Sequence, residues 1–186
     1  MKQLPSPLFL VGFMGSGKTT VGKAIAKRLK RQFVDTDHLI ADAAGMSITA
    51  LFEQEGEEAF RKRESDTIAS LLASKEPLVV ATGGGLPAHG GLMQQMLEGG
   101  YVLYLDIDAE ELARRLGPGA SSRPMLCEAD GRPLRGNGLI RRVESLLGAR
   151  EEYYRQAHLS LWVVEEPVWV TSGRIADTLI EKGFDV

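Results

Sequence analysis

Residues 12–19 have the sequence Gly12-Phe13-Met14-Gly15-Ser16-Gly17-Lys18-Thr19, and they follow the apolar run Leu8–Val11. This stretch fits the pattern G-x-x-x-x-G-K-[ST], which is meaningful only between a strand and a helix. The apolar run predicts a buried strand, and the apolar spacing in residues 19–31 predicts a helix. In such a loop the backbone N–H groups surround an anion at the helix N-terminus. The stretch therefore predicts that this chain binds a nucleoside triphosphate.

Single residues of the loop receive roles from the same pattern. Lys18 is expected to reach the β- and γ-phosphates, and the Thr19 hydroxyl is expected to hold Mg²⁺. Farther along the chain, Arg115 is expected to pack against the adenine ring. The expected nucleotide-binding residues are Gly15, Ser16, Gly17, Lys18, Thr19, Thr20, Arg115 and Arg123.

Short β-type runs alternate with helical stretches along the chain, which is typical of a parallel sheet covered by helices on both faces. We expect an α/β fold with a five-stranded parallel sheet, formed by one domain over residues 1–186. The strands are predicted at Leu8–Val11, Gln32–Asp35, Leu78–Ala81, Tyr101–Leu105 and Leu159–Val164. The helices are predicted at residues 19–31, 37–44, 57–74, 89–98, 109–116, 139–156 and 174–182.

Residues 117–138 are rich in Gly, Pro and Arg and show little periodicity. A loop of this length inside a compact domain favours a functional lid over a passive connection. Arg123 lies within the segment, and a lid arginine placed over the γ-phosphate stabilises developing charge and helps to exclude water. We therefore expect residues 117–138 to form a mobile lid.

Composition argues against several classes of function. The 186 residues carry a net charge of −3, which disfavours general binding to nucleic acid. The sequence has no apolar stretch of membrane-spanning length and no signal pattern, so no membrane partner is expected. The single cysteine, Cys127, cannot form an internal disulfide and fits a reducing compartment. We expect a cytoplasmic monomer that acts on small molecules.

Two further polar clusters follow predicted strands, namely Asp35-Thr36-Asp37 and Gly83-Gly84-Gly85. Because the carboxyl ends of parallel strands meet at one edge, both clusters should lie beside the phosphate loop. One aspartate is expected to hold Mg²⁺ through water, while the other accepts a hydrogen bond from an attacking hydroxyl. An Asx turn that caps the next helix is the alternative, above all for Asp35. The glycines have no side chains, so their N–H groups can approach a small ligand.

Arg61 and Glu64 are three positions apart and therefore share one face of a predicted helix. A surface ion pair is the first interpretation, and such a pair contributes little stability. The second interpretation is that Glu64 fixes the Arg61 guanidinium so that it meets a substrate carboxylate. The spacing alone leaves both interpretations open.

The histidines and tryptophans receive structural interpretations. His38, His89 and His158 lack the spacing of metal ligands, so surface or core positions are expected for them. Trp162 and Trp169 lie in or near the last predicted strand, where core packing is expected.

Together these motifs resemble the shikimate kinase family, within the P-loop nucleoside-monophosphate-kinase-like group. The resemblance rests on the order of the motifs over nearly the whole chain, which are Gly12–Thr19, Asp35-Thr36-Asp37, Phe60-Arg61-x-x-Glu64, Gly83–Gly85, Arg123-Pro124, and Arg150 in Ala-Arg-Glu-Glu-Tyr-Tyr. It implies a fold of the P-loop kinase type, ATP and shikimate as substrates, and Mg²⁺ as cofactor. The implied reaction transfers the γ-phosphate to the 3-hydroxyl of shikimate, on the route to aromatic amino acids.

The resemblance also implies roles for individual residues. Asp37 would contact the shikimate hydroxyls and act as general base, and Asp35 would act on Mg²⁺ through its bound water. The implied catalytic residues are Asp37, Lys18 and Arg123, of which the last two flank the transferred phosphoryl group. The implied metal site is formed by Thr19 and Asp35. The implied shikimate-binding residues are Asp37, Arg61, Gly83, Gly84, Gly85 and Arg150, with the two arginines on the carboxylate and Gly84 on the ring.

A kinase for another hydroxy acid, such as gluconate, is the main alternative, because two arginines and paired aspartates suit any polyol with a carboxylate. A GTPase switch is disfavoured, since its Asn-Lys-x-Asp motif is absent and the one asparagine, Asn137, precedes glycine. Two features depart from the family pattern. The segment after Arg123-Pro124 is longer than in compact members, and residues 165–173 offer no arginine for the adenine.

Overall fold

The computed structural model of this protein describes residues 2–186. The strands in this range are β1 (Lys2–Gln3), β2 (Leu8–Val11), β3 (Gln32–Asp35), β4 (Leu78–Ala81), β5 (Tyr101–Asp106), β6 (Leu159–Trp162) and β7 (Phe184–Asp185). The helices are α1 (Lys18–Arg28), α2 (Thr36–Ala44), α3 (Ile48–Ala73), α4 (Leu92–Gly99), α5 (Ala109–Leu116), α6 (Gly136–Tyr154) and α7 (Val168–Glu181).

Five of these strands form one parallel sheet in the order β3-β4-β2-β5-β6, which confirms the predicted α/β fold. Every residue of β2 and of β4 is buried, because helices cover both faces of the central strands. This double burial explains why both strands are continuous apolar runs. Because β2, β3 and β4 run parallel, their carboxyl ends meet at one edge of the sheet, and this edge holds the candidate site.

The main core lies between the central strands and the helices packed on them, with Phe9, Ile25 and Leu179 fully buried. A smaller apolar cluster, formed by Ile40, Leu51 and Phe60, lies between α2 and α3. The smaller cluster anchors the part of α3 that carries Arg61, since Phe60 immediately precedes that arginine.

Helix α3 begins at Ile48, nine residues before the predicted start at residue 57. The Ser47 side chain caps this earlier start by accepting a hydrogen bond from the Ala50 N–H at 3.1 Å. Gly56 then interrupts the helix with a φ of 81° and a ψ of 176°. The predicted helix over residues 57–74 corresponds to the part of α3 after this kink.

Two other helix boundaries differ from the prediction. Helix α7 begins at Val168, six residues before the predicted start, and Pro167 stands at its N-cap. The helix predicted over residues 89–98 corresponds to α4, which begins three residues later at Leu92, and a separate 3₁₀ turn at Leu86–Ala88 precedes it. The left-handed Gly91 at the N-cap explains the later start.

The ends of the described chain and the two tryptophans also correct the sequence analysis. Strands β1 and β7 pair in parallel as a separate two-stranded sheet that was not predicted. The expectation that Trp162 and Trp169 lie in the core is wrong, because they are 47% and 72% exposed. Strand β6 is an edge strand, and alternation along it buries Leu161 while turning Trp162 outward.

The segment predicted as a lid contains more regular structure than its composition suggests. It includes 3₁₀ turns at Gly117–Ser122 and Pro124–Leu126, and helix α6 begins already at Gly136. Buried Ala120 and Leu126 attach the segment to the core. Among residues 2–186, no helix combines the length and the apolar character needed to cross a membrane.

Candidate active site

The phosphate loop turns between β2 and α1 through glycines in the left-handed region of backbone space. Gly12, Gly15 and Gly17 have φ values of 145°, 80° and 92°, which residues with a β-carbon rarely adopt. Gly17 is the N-cap of α1, so the helix begins at Lys18 with its free N–H groups directed at the loop. This geometry is suited to binding an anion.

Lys18 is buried in the centre of the loop. Its ammonium donates hydrogen bonds to the carbonyl oxygens of Gly12 and Phe13, at 2.8 and 2.9 Å. Burial lowers the pKa of Lys18 to about 8, although Asp37 and Asp35 partly oppose this effect. The loop therefore holds an ammonium group whose charge a phosphate ligand would favour.

Asp35 ends β3 and forms two hydrogen bonds at once. Its Oδ2 accepts from the Thr19 hydroxyl at 2.8 Å, and its Oδ1 accepts from the Asp37 N–H at 3.1 Å. The second bond caps α2, so the Asx interpretation describes one oxygen while the other faces the phosphate loop. The hydroxyl of Thr19 and the carboxylate of Asp35 are hard oxygen ligands of the kind that Mg²⁺ takes beside nucleotide phosphates.

The three glycines after β4 each approach a different part of the site. A β-carbon placed on Gly83 would lie 2.7 Å from Asp37 Oδ1, and one on Gly84 would lie 3.1 Å from the Met14 nitrogen of the phosphate loop. A β-carbon on Gly85 would lie 3.5 Å from Arg61 Nη1 and 3.8 Å from Arg150 Nη2. The triple glycine thus joins the aspartate, the loop and the two guanidinium groups at one place.

Asp37 lies in the first turn of α2, next to the strand ends. The Gly83 N–H donates to the hydroxyl of Thr36 at 2.9 Å, which holds the ends of β3 and β4 together. Burial raises the pKa of Asp37, and the neighbouring carboxylate of Asp35 raises it further, while Lys18 acts in the opposite direction. A carboxylate with a raised pKa is a better proton acceptor than an exposed one.

Arg61 is held by two glutamates of its own helix. Its Nη1 donates to Glu64 Oε2 at 2.7 Å, and its Nη2 donates to Glu57 Oε1 at 3.0 Å. The Glu64 side chain is 2% exposed whereas that of Glu57 is 63% exposed, so the pair with Glu64 is not a surface ion pair. Burial raises the pKa of Glu64, and its bond to Arg61 opposes that effect. The buried carboxylate fixes the guanidinium from behind.

Arg61 and Arg150 line a common cavity of about 510 Å³, and both guanidinium groups lie close to Gly85. The Arg150 guanidinium carbon lies 5.8 Å from the centroid of the Phe13 ring, so α6 packs against the phosphate loop. Among the lining residues, sequence analysis gave a substrate-binding role only to Arg61 and Arg150. The cavity is lined by Phe52, Glu57, Arg61, Ala88, His89, Met125, Ala149, Arg150 and Tyr153.

Tyr154 is a site residue that sequence analysis missed. Its buried hydroxyl donates to the carbonyl oxygen of Gly84, and its ring stacks on Tyr104 with centroids 5.2 Å apart. The bond holds the backbone of the middle glycine, which also approaches the Met14 nitrogen of the phosphate loop. Tyr154 belongs to the motif that carries Arg150, but no spacing rule relates a helical tyrosine to a glycine 70 positions earlier.

A second cavity, of about 320 Å³, lies over the phosphate loop. It is lined by Gly15, Gly17, Lys18, Thr19, Thr20, Arg115, Leu116 and Arg123. Arg123 Nη1 donates to the Gly119 carbonyl at 2.6 Å, which directs it from the lid segment into this cavity. Arg115 also donates to Glu111 at 2.7 Å. Ser16 is buried beneath the loop, and its hydroxyl has no hydrogen-bond partner within residues 2–186.

The fold and the site define a P-loop kinase of small molecules, with one cavity over the phosphate loop, a second cavity lined by Arg61 and Arg150, and a triple glycine that approaches both the loop and the two arginines. A family model described as Shikimate kinase matches residues 14–168. This chain belongs to the shikimate kinase family.

Individual relatives agree with this assignment. A shikimate kinase of Synechococcus sp. (strain RCC307) is 41% identical over 175 residues, which cover 92% of this chain and 83% of the relative. A solved shikimate kinase from Acinetobacter baumannii, in complex with shikimate, matches with a TM-score of 0.84 and 31% identity, covering 98% of this chain and 96% of that one. A gluconokinase from Sinorhizobium meliloti 1021 matches with a TM-score of 0.56 and 17% identity, over 97% of this chain and 99% of that one, and shares the fold alone.

Proposed function

We propose that this enzyme transfers the γ-phosphate of ATP to the 3-hydroxyl of shikimate, giving shikimate 3-phosphate and ADP. The observation that carries the proposal is the triple glycine, because Gly83, Gly84 and Gly85 adjoin Asp37, the phosphate loop and the paired arginines. One acceptor bound there faces a base, a phosphate donor and a carboxylate site at the same time.

ATP binds with its phosphates in the loop of residues 12–19 and its nucleoside towards Arg115 in the second cavity. The N–H groups at the start of α1 and the ammonium of Lys18 neutralise the β- and γ-phosphates. Thr19 and Asp35 would hold Mg²⁺ together with the phosphates, the aspartate through water. When bound, the ion supplies charge neutralisation at the phosphate oxygens.

Shikimate binds in the first cavity, with its carboxylate between Arg61 and Arg150. Each guanidinium offers paired donors that match a carboxylate, and Glu64 keeps Arg61 in place. The backbone of Gly84 contacts the ring, and Tyr154 fixes that backbone. The hydroxyls then face Asp37.

The oxygen of the shikimate 3-hydroxyl forms a bond to the γ-phosphorus, and Asp37 accepts the proton that this hydroxyl loses. The bond between that phosphorus and the oxygen bridging to the β-phosphate breaks, and ADP leaves with the electron pair. Lys18 and Arg123 stabilise the charge on the transferred group from two sides. Closure of the lid around Arg123 excludes water, which would otherwise take the phosphoryl group.

The proposal also includes the domain organisation, the oligomeric state and the location of the enzyme. We propose that residues 1–186 act as one domain and as a monomer in the cytoplasm, without a nucleic-acid or membrane partner. The net charge of −3 and the single cysteine are in keeping with this view.

A coupled assay of ADP release with different acceptors tests the function. With Mg·ATP, shikimate should raise the rate far above the background ATP hydrolysis, and gluconate should not. Comparable turnover with gluconate would overturn the choice of acceptor. A rate independent of any acceptor would overturn the assignment as a small-molecule kinase.

A further inference from the structure

The backbone of His89 has a fixed position beside the cavity that Arg61 and Arg150 line. It follows the 3₁₀ turn after the triple glycine, where its N–H donates to the Leu86 carbonyl at 3.2 Å. Its own carbonyl accepts from the Leu92 N–H at 3.0 Å, so the backbone is held on both sides. The half-buried side chain lines the same cavity as Arg61 and Arg150. His89 therefore has a partly exposed position from which a ligand in this cavity is within reach.

The imidazole of His89 has donor capacity that the protein does not use. Within the part of the chain described, residues 2–186, its ring nitrogens form no hydrogen bond or ion pair, whereas Arg61 is bonded to two glutamates. By comparison, the imidazole of His158 accepts a hydrogen bond from the Val102 N–H at 3.0 Å and stacks on Tyr101. His158 thus contributes to the packing of the fold, whereas His89 lines a cavity and its ring has no hydrogen-bond partner among residues 2–186.

We propose that His89 is a third binding group for the acceptor's carboxylate, and that its protonation tightens acceptor binding. The inference rests on the proposed function, because it takes the anion in this cavity to be a carboxylate on the acceptor. It adds a residue that couples affinity for the acceptor to pH.

The charges around His89 give the direction of this coupling. Arg61 and Glu57 face it from α3, and Arg150 faces it from α6. Burial lowers the pKa of His89, Arg61 and Arg150 lower it further, and Glu57 partly opposes them. In the free enzyme these surroundings therefore favour the neutral ring over the imidazolium.

A bound carboxylate opposes the lowering of the His89 pKa by the two guanidinium groups. Its negative charge offsets the two guanidinium groups and accepts a hydrogen bond from the imidazolium, so the pKa of His89 is higher in the complex than in the free enzyme. A group whose pKa rises on binding takes up a proton, so affinity increases as pH falls through the titration range of His89. Each unit by which the pKa of His89 in the complex exceeds that in the free enzyme corresponds to at most a tenfold gain in affinity at low pH, or about 1.4 kcal/mol.

Calorimetric titration of the full-length enzyme with shikimate tests this proposal. Titrations at pH 6.5 in buffers of different ionisation enthalpy measure the protons taken up on binding. The unmodified enzyme should take up a fraction of a proton, and His89→Asn should take up clearly less. His158→Asn is the matched control, because asparagine keeps an acceptor for Val102 and the residue lies outside the site. It should behave like the unmodified enzyme.

Steady-state kinetics give a second, independent readout. Between pH 7.5 and pH 6, KM for shikimate should fall about threefold or more in the unmodified enzyme and change by less than about twofold in His89→Asn. KM for ATP should not follow this pattern. The methyl ester of shikimate, which lacks the negative charge, should bind with no such proton uptake.

The outcomes separate the two proposals. Equal proton uptake by the unmodified enzyme and His89→Asn, with parallel KM profiles, would overturn the role of His89 while leaving the kinase activity in place. Absence of shikimate phosphorylation by the unmodified enzyme would instead remove the proposed function, and the role of His89 with it.

Discussion

At the residue scale, the site depends on charged groups that are buried together. Lys18 and Glu64 are buried and Asp37 is partly buried, and burial is the largest influence on the pKa of each. Such groups persist because each has a charged or hydrogen-bonding partner close by. Loss of one partner should therefore affect function more than loss of an exposed charge.

The ion pair behind Arg61 gives a prediction with an internal control. In Glu64→Gln a neutral amide replaces the buried carboxylate, so Arg61 is less firmly held and KM for shikimate should rise about tenfold, with a smaller change in kcat. Glu57→Gln removes an exposed partner of the same arginine and should change KM by less than about twofold. Equal effects of both variants on KM would show that the buried carboxylate has no special part in fixing Arg61.

The pH dependence of kcat/KM for ATP follows from two of these groups. Asp37 must be ionised to accept a proton and its pKa is raised, so activity should fall on the acid side at a higher pH than for an exposed aspartate. Lys18 has a pKa of about 8, so its charge is lost as pH rises through that value and the rate should fall again. Bound phosphates favour the ammonium, so the alkaline limb of kcat should lie at higher pH. An alkaline limb of kcat/KM above about pH 10 would contradict the account of Lys18.

At the element scale, the phosphate loop is held by α1 beneath it and approached by the lid segment above it. Helix α1 packs closely on the sheet at Gly22, where a β-carbon would lie 2.5 Å from the Phe33 ring. The lid segment reaches the nucleotide cavity through Arg123. One element therefore fixes the position of the loop, and the other completes the site.

Substitution in the lid should reduce catalysis without loss of stability. Arg123→Ala removes a cation from the nucleotide cavity and should lower kcat by about a hundredfold or more, with little change in thermal unfolding. Arg132→Ala is the control in the same segment, since Arg132 is 80% exposed and pairs with Asp130. Its kcat should stay within about twofold of the unmodified enzyme. Similar losses in both variants would indicate a general disturbance of the lid segment.

Packing of α1 should be sensitive to a single methyl group. Gly22→Ala forces the Phe33 ring or the helix to move and should destabilise the protein by about 1–3 kcal/mol, or several degrees in Tm. Gly148→Ala in α6 meets no atom within 4 Å and should be neutral or stabilising by up to about 1 kcal/mol. Thermal unfolding of both variants measures the difference. A Gly22→Ala variant as stable as the unmodified protein would mean that this contact adapts without cost.

At the scale of the whole molecule, local sequence predicts the sheet well and the long-range contacts poorly. Strands β2 and β4 have the predicted bounds, because doubly buried strands are apolar runs that end in polar turns. The edge strand β3 also has its predicted bounds, although none of its residues is fully buried. The pairing of β1 with β7 joins the two ends of the described chain and has no local pattern. Exposure of Trp169 likewise depends on what the rest of the chain covers, which hydrophobicity alone does not specify.

In the candidate site too, local motifs are predictable from the sequence and long-range contacts are not. Its phosphate loop and triple glycine are contiguous motifs, so sequence analysis identifies their residues directly. Tyr154 and His89 enter the site only because α6 packs over the turn that follows β4. Neither residue belongs to a sequence spacing that predicts a binding role, because only the tertiary packing brings them to this place.

A crystal structure with Mg·ADP and shikimate bound would show whether one acceptor meets Asp37, the nucleotide and the two arginines at the same time. We predict the shikimate carboxylate between Arg61 and Arg150, and the 3-hydroxyl oxygen within about 3 Å of an Asp37 carboxylate oxygen, on the side of the phosphate loop. A complex with shikimate bound outside the cavity at the triple glycine, or with its 3-hydroxyl turned away from both Asp37 and the nucleotide, would contradict the account.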